Sequence, residues 1–450
     1  MRKLCLCLLV IALFSLSAAG QTNCPNPTVP SISSSAIPAD VCVPANFAGN
    51  PIAFFDDYSW RAFVALVWPA LSGQRGTPDP NQTVNGSGPR VFETYKSLYE
   101  TFHVDGSAPS AWNSFDPPAD NPCNVQAGFN DMILASFSKF ANVGQAGFGT
   151  LVGPLIAQNK TYVRFMTGFD QTEFNQILNS KLYLRANLTS SITLPTGSLD
   201  VKSSWMEMTN VAHPERYYTR TAWVMDPGTG KCSPQTVGLV GLHIVQKTPS
   251  RPQWIWSSFE QIDNVPPMQS GASGSNFNDG SGTPMPTQNP YSVEPLPIPP
   301  PKPYNVSRIK PIHSSTQATN KAYQKLLAGT PFQNYQLVMT QWPLVPNDPT
   351  TFATPQNTFP GNGATTAFAN TTMETFDQST IFTGCMACHA ATQTATDLVW
   401  ALKDHAFPSN IPGLVMADAQ FRQLQSLLAR SKIAPADAKA AAIPKKTKKQ

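Results

Sequence analysis

The chain has 450 residues, enough for one large folded body and a smaller one. Only 13% of its residues are charged, and 43 prolines with 27 glycines make it rich in loops. Its formal net charge of +4 comes from the ends: without Arg2 and Lys3 at the start and Lys445, Lys446, Lys448 and Lys449 in the tail, the body carries about −2, so the basic balance does not argue for a nucleic-acid partner and none is expected.

Residues 1–20 read as a signal peptide. Met1-Arg2-Lys3 is basic, Leu4 to Leu16 is apolar, and Ser17-Ala18-Ala19-Gly20 supplies small residues for cleavage near Gln21. The apolar run is shorter than the roughly 20 residues a membrane span needs. The expectation is a periplasmic or secreted chain with no transmembrane segment after maturation. Cys5 and Cys7 leave with the signal, so Cys24, Cys42, Cys123 and Cys232 remain outside the C-terminal motif, an even number in an oxidising compartment. Three pairings are open, and proximity favours Cys24–Cys42 with Cys123–Cys232.

An α+β domain is expected over 21–265. Asp56 and Asp57 introduce a helix in which Trp60, Phe63, Val64, Val67 and Trp68 form one apolar stripe, stopped by Pro69. Phe92, Tyr95, Tyr99 and Phe102 form a second aromatic stripe, for which core packing is the simplest role. A third helix is expected from Asp170 to Leu184. The pattern then alternates: a strand over Asp200–Thr209, a hairpin of Tyr217–Met225 and Val237–Lys247 around Asp226-Pro227-Gly228-Thr229-Gly230, and a strand over Gln253–Phe259. An antiparallel sheet curved at Gly238 and Gly241 follows from this order. Residues 266–304 are a Pro/Gly/Ser-rich linker or a long loop lying over the body. Residues 305–364 return to the large domain with a helix over Asn320–Ala328 and a strand over Tyr335–Trp342.

The chemistry concentrates in Cys385-Met386-Ala387-Cys388-His389, a C-x-x-C-H motif. In an exported chain this pattern attaches haem c: the two thiols form thioethers to the porphyrin and the adjacent histidine supplies an axial nitrogen to iron. A dithiol redox pair would want a βαβ setting, and a zinc site a second ligand pair at close spacing. Around the motif, Thr371-Thr372-Met373-Glu374 has the capping-box pattern. Asp397–Phe407 reads as helix with Leu398, Leu402 and His405 on one face, and a last helix follows Asp418. Met416 is the first candidate for the second axial ligand and His405 the alternative, with His243, His313 and Met373 behind them and an open sixth position as a further case. Glu207, Glu260 and Asp263 in Trp-rich surroundings are either acid–base groups or structural carboxylates. Residues 433–450 are a basic tail expected to be disordered.

Residues 365–432, with helix, C-M-A-C-H, helix, methionine loop and final helix in that order, resemble a small class I cytochrome c. The block Gly238-Leu239-Val240-Gly241-Leu242-His243-Ile244-Val245, with Trp254-Ile255-Trp256, Ser59-Trp60 and Gln341-Trp342-Pro343, makes most of the chain similar to exported bacterial monohaem c-type cytochrome family proteins. The resemblance implies a small all-α haem segment at the C-terminus and one covalent haem, but no established reaction. The leading expectation is a single-electron carrier serving a redox partner protein, not an enzyme. The alternatives are a haem-dependent oxidoreductase or peroxidase with an open distal site and the Trp-rich domain as substrate holder, and a haem-based sensor or binding module.

Overall fold

The computed structural model describes residues 24, 26–135, 153–189, 192–266, 274–287, 289–291, 296–343, 369–376, 378, 385–389 and 396–408, the side chains of Ala387 and Cys388 excepted. The signal peptide, Met416, the helix after Asp418 and the basic tail lie outside these residues.

The alternating runs pair into one mixed sheet of eight strands: β1 Lys96–Ser97, β2 Ile133–Leu134, β3 Arg164–Phe169, β4 Leu199–Glu207, β5 Thr219–Met225, β6 Cys232–Thr248, β7 Arg251–Gln261 and β8 Tyr335–Gln341. The order β1-β3-β4-β6-β5-β2 is extended by β7 on β6 and β8 on β7. Every pairing is antiparallel except β2 with β5. The long strand β6 organises the rest. Its Cys232–Gly238 half pairs with β5, and from Gly241 onward it pairs with β7. Opposite this change of partner the β4 register slips between Ser204 and Trp205, so the curvature expected at Gly238 and Gly241 falls there. A Cβ on Gly241 would run into the Thr372 and Ser204 hydroxyls. Only glycine leaves room for the segment that crosses at that point.

Six helices are described: α1 Ile52–Leu66, α2 Leu98–Thr101, α3 Gln171–Asn179, α4 Ser314–Leu326, α5 Cys385–His389 and α6 Trp400–His405. The apolar stripe of α1 is core: Trp60, Phe63, Val64 and Val67 are all buried. Trp60 stacks on Tyr323 of α4 at 5.0 Å, and Phe63 on Phe259 of β7 at 4.5 Å. The second stripe also serves packing. Phe92 and Phe102 are buried, while Tyr95 and Tyr99 edge a cavity of about 60 Å³. Several acids around that cavity are paired, Asp116 with His103 at 3.2 Å and Glu93 with Arg220 at 2.8 Å.

Some boundaries differ from the sequence reading. α1 starts at Ile52, so Asp56 and Asp57 lie inside it and are buried rather than capping it. Their partners explain this: Asp56 accepts from Thr316 Oγ1 (2.7 Å) and Thr340 Oγ1 (2.9 Å), and Asp57 accepts from Tyr323 Oη (2.6 Å) and Arg61 Nε (2.7 Å). α3 is capped by Asp170, which accepts from Glu173 N (2.9 Å), but stops at Asn179 before a left-handed Lys181. α4 begins at Ser314 because His313 Nδ1 accepts from Ser315 N at 3.2 Å. The pattern at Thr371–Glu374 gives turns, not a helix, since its side chains are drawn to the sheet as set out below.

Disulfides join Cys24 to Cys42 and Cys123 to Cys232, as an oxidising compartment allows. Among the described residues no helix is long and apolar enough to cross a membrane. The described parts of 266–304 lie on the body: Phe277 is buried, and Tyr162 Oη donates to Pro297 O.

Burial raises Asp56 from 3.8 to about 7, against the two hydroxyl donors. Between these values the folded chain keeps a proton that the unfolded chain releases, so this contribution to stability is full below about pH 4 and is lost as pH rises through 7. Asp56→Asn cannot ionise. Urea unfolding midpoints measured from pH 4 to 7 should fall less steeply with pH in this variant than in the parent; parallel profiles would remove Asp56 as the source.

Candidate functional site

Cross-strand register places two rows of side chains on one face of the sheet, because directly opposed residues of neighbouring strands share a face. One row is Asp200, Val245, Trp256 and Gln341, and the next is Lys202, His243, Ser258 and Met339. The C-terminal segment crosses this face. Thr372 Oγ1 lies 2.7 Å from Ser204 Oγ, and Asn370 Nδ2 donates to Phe259 O at 2.8 Å. Thr371 Oγ1 donates to Glu260 Oε2 at 2.8 Å, and Glu374 Oε2 stands 3.6 Å from His243 Nε2. These bonds hold 370–374 as turns and bring the chain onward to the motif.

The motif backbone forms α5, one short helical turn. Met386 is buried and its N–H donates to Gln341 Oε1 at 3.3 Å, at the end of the first row. Cys385 is half-buried against the main apolar core. The His389 ring packs on Trp256 with centroids 4.4 Å apart and planes at 57°. Its Nδ1 lies 2.6 Å from Leu398 O. A carbonyl can only accept, so Nδ1 carries a proton, and in the neutral ring Nε2 is then the lone-pair nitrogen.

The carbonyl that fixes this tautomer sits in an unusual turn. Asp397 has φ +50° and Leu398 φ +76°, and Trp254, beside them, has φ +70°. The other described non-glycine residues with positive φ are Asn or Lys. A left-handed Leu or Trp costs about 1–3 kcal/mol and persists only where surrounding contacts over-determine it. Those contacts are present. Asp397 Oδ2 meets Lys247 Nζ at 2.5 Å and accepts from Leu194 N at 2.8 Å, and Asp397 O accepts from Trp254 Nε1 at 3.1 Å. Trp254 lies where the β6–β7 register slips between Gln246 and Thr248. The helix expected over Asp397–Phe407 therefore begins only at Trp400, because 397 and 398 are committed to this turn.

Among the remaining candidates, His405 is half-buried on α6, with its ring 6.0 Å from Phe102. Burial, and secondarily Lys202, push it down to about 4, so it is a neutral imidazole at pH 7. His313 is a helix cap, and Met373 packs with Val240 and Phe165 in a separate apolar cluster. Glu260 is bound by Arg308 and Thr371, Asp263 by Arg216 at 2.6 Å, and Glu207 lies 3.4 Å from Arg164, so all three carboxylates have structural partners. Glu173 and the first-row Asp200 are fully buried acids raised by desolvation; for Glu173 the negative charges of Asp200, Asp170 and Asp397 add to the rise. Neither carboxylate oxygen of Glu173 has a hydrogen-bond partner among the described residues, which is the environment of a protonated acid.

Sequence reasoning singled out the motif but not Lys247, Asp397 or the Leu398 carbonyl. The only hint was the Gln-Trp-Ile-Trp run of β7, whose two indoles flank the site. Replacing Asp397 by Ala would leave Lys247 buried without its carboxylate, and chemical denaturation should show a loss of about 3–5 kcal/mol; a loss below about 1 kcal/mol would mean that the ion pair contributes little. The chain matches no protein-family model, no curated protein sequence and no solved structure.

Proposed function

We propose that this chain is an exported monohaem c-type cytochrome, with haem attached through Cys385 and Cys388, His389 as axial ligand, and transfer of single electrons as its activity. The observation that carries the reading is the His389 Nδ1 bond to the Leu398 carbonyl. Metal-bound histidines hold their second nitrogen on a carbonyl or carboxylate in this way, which orients the ring and strengthens the donor atom. The residues present fit the group: a half-buried Cys385, a helical motif backbone, a histidine of fixed tautomer and a wall of Trp256, Met386 and Leu398. When bound, haem c would supply one-electron chemistry at iron. Trp256 and Leu398 would exclude water from the axial histidine, and Leu398 O would hold the Nδ1 proton in place. In this reading the C-terminal segment is an all-α haem unit whose described helices are α5 and α6, and Met416 would hold the iron together with His389. The two disulfides agree with a periplasmic or secreted protein, and the proposed activity calls for a redox partner protein there.

A second reading, a haem-dependent oxidoreductase or peroxidase, draws on Lys202, His243 and Glu374 grouped on the sheet face next to Trp256. Such a group can give and take protons near an open iron position.

The matured protein should give a haem stain that survives denaturing electrophoresis and is absent from the Cys385→Ala, Cys388→Ala variant; covalent haem retained by that variant would end the attachment reading. Ferric and ferrous absorption spectra should be low-spin and indifferent to CO for a carrier, whereas CO binding would move the function to the oxidoreductase. Met416→Ala should convert the ferric spectrum toward high spin; an unmoved spectrum would remove Met416 as a ligand.

A further inference from the structure

The Lys247–Asp397 pair sits one residue before the Leu398 carbonyl that meets His389. It is buried, with side chains 5% and 11% exposed. A buried ion pair repays its desolvation poorly as a source of stability, and two left-handed residues in succession add cost. A plain turn of asparagine or glycine would connect α5 to α6 without either. What the arrangement does supply is a fixed acceptor. Lys247 Nζ, Leu194 N and Trp254 Nε1 hold Asp397 from three elements, and the next carbonyl, Leu398 O, is left 2.6 Å from His389 Nδ1. Lys247 stands on β6 within cation–π range of Trp254 on β7, 6.0 Å from its ring, so two strands of the sheet supply donors to Asp397.

We propose that Lys247 and Asp397 are positioning residues that set the strength of the His389 Nδ1–H to Leu398 O hydrogen bond and, through it, the reduction potential of the iron. The inference rests on the haem reading above. A firm acceptor pulls the Nδ1 proton outward and makes Nε2 a stronger electron donor, which favours ferric over ferrous iron and lowers the potential. In the one-electron change between the two states, the electron exchanged with the redox partner protein, no bond of the clamp breaks and Nδ1 keeps its proton.

The test is the midpoint potential and ferric spectrum of the full-length holoprotein carrying Lys247→Met with Asp397→Asn. This double change removes both charges together and avoids the unpaired buried ion of either single variant, and Asn can still accept from Leu194 N. Loosening the carbonyl should weaken ferric iron relative to ferrous about tenfold, a rise of about 59 mV for one electron, with a shifted ferric spectrum. Lys247→Arg, which keeps the pair, should restore the parental values. If the pair acts through charge alone, Lys247→Met and Asp397→Asn will move the potential in opposite directions and the double variant will sit at the parental value with an unchanged spectrum, and the positioning role is overturned. Failure of the haem reading is separate, because the parent protein would then carry no covalent haem to titrate.

Discussion

The pairing of β6 with three neighbours is the constraint on which the rest of the molecule depends. β4 runs along one side of it, and β5 and then β7 occupy the other. The hand-over occurs in Gly238–Gly241, where small residues permit a bend and a bulge absorbs the mismatch. Past the bend, β4, β6, β7 and β8 are in register across one face, and this register brings Trp256, His243, Lys202 and Gln341 together from four strands. A one-residue slip in any of these pairings would send its members of both rows to the opposite face.

The two faces of the sheet are built for different ends. Toward α1 and α4 the sheet presents an aromatic core, with Trp60, Phe63, Phe259 and Tyr323 in stacked or edge contact. Buried polar groups there bond to one another, as with Ser59 on both Ser257 and Thr340, or Trp60 Nε1 on Asn320. On the other face the polar groups bind a crossing segment rather than one another. Asn370, Thr371 and Thr372 satisfy donors and acceptors of two strands, β4 and β7, so this crossing backbone is held by directional bonds. Polar anchoring of this kind fixes a single register, because a shifted segment would leave buried groups unpaired at about 1–3 kcal/mol each.

Backbone strain and charge burial converge on the same histidine. Trp254, Asp397 and Leu398 are left-handed within one small region, and the Lys247–Asp397 pair is buried against it. Each would be expensive alone. Together they form a rigid support whose product is one well-placed carbonyl, and rigidity of an acceptor is what a tuned imidazole requires. Nearby, desolvation pushes the Glu173 and Asp200 carboxyls up, against the smaller help that Lys202 gives.

The sequence by itself determined the motif Cys385-Met386-Ala387-Cys388-His389, the strand runs around Trp205, Trp223 and Trp256 and the apolar stripe of α1, because each is written in local spacing or in the periodicity of a single element, whereas it left three cysteine pairings open and only favoured the one that forms. It misplaced the start of α1, since Asp56 and Asp57 look like caps until their partners on α4 and β8 are known. It read Thr371–Glu374 and Asp397–Leu398 as helical for the same reason: local propensity favours a turn of helix there, and contacts with strands more than a hundred residues earlier outweigh it. The carbonyl on His389, the Lys247–Asp397 pair and the row shared by Asp200, Val245, Trp256 and Gln341 were decided only by tertiary structure. They join residues from distant parts of the chain, and nothing short of the sheet's register brings those residues to one place.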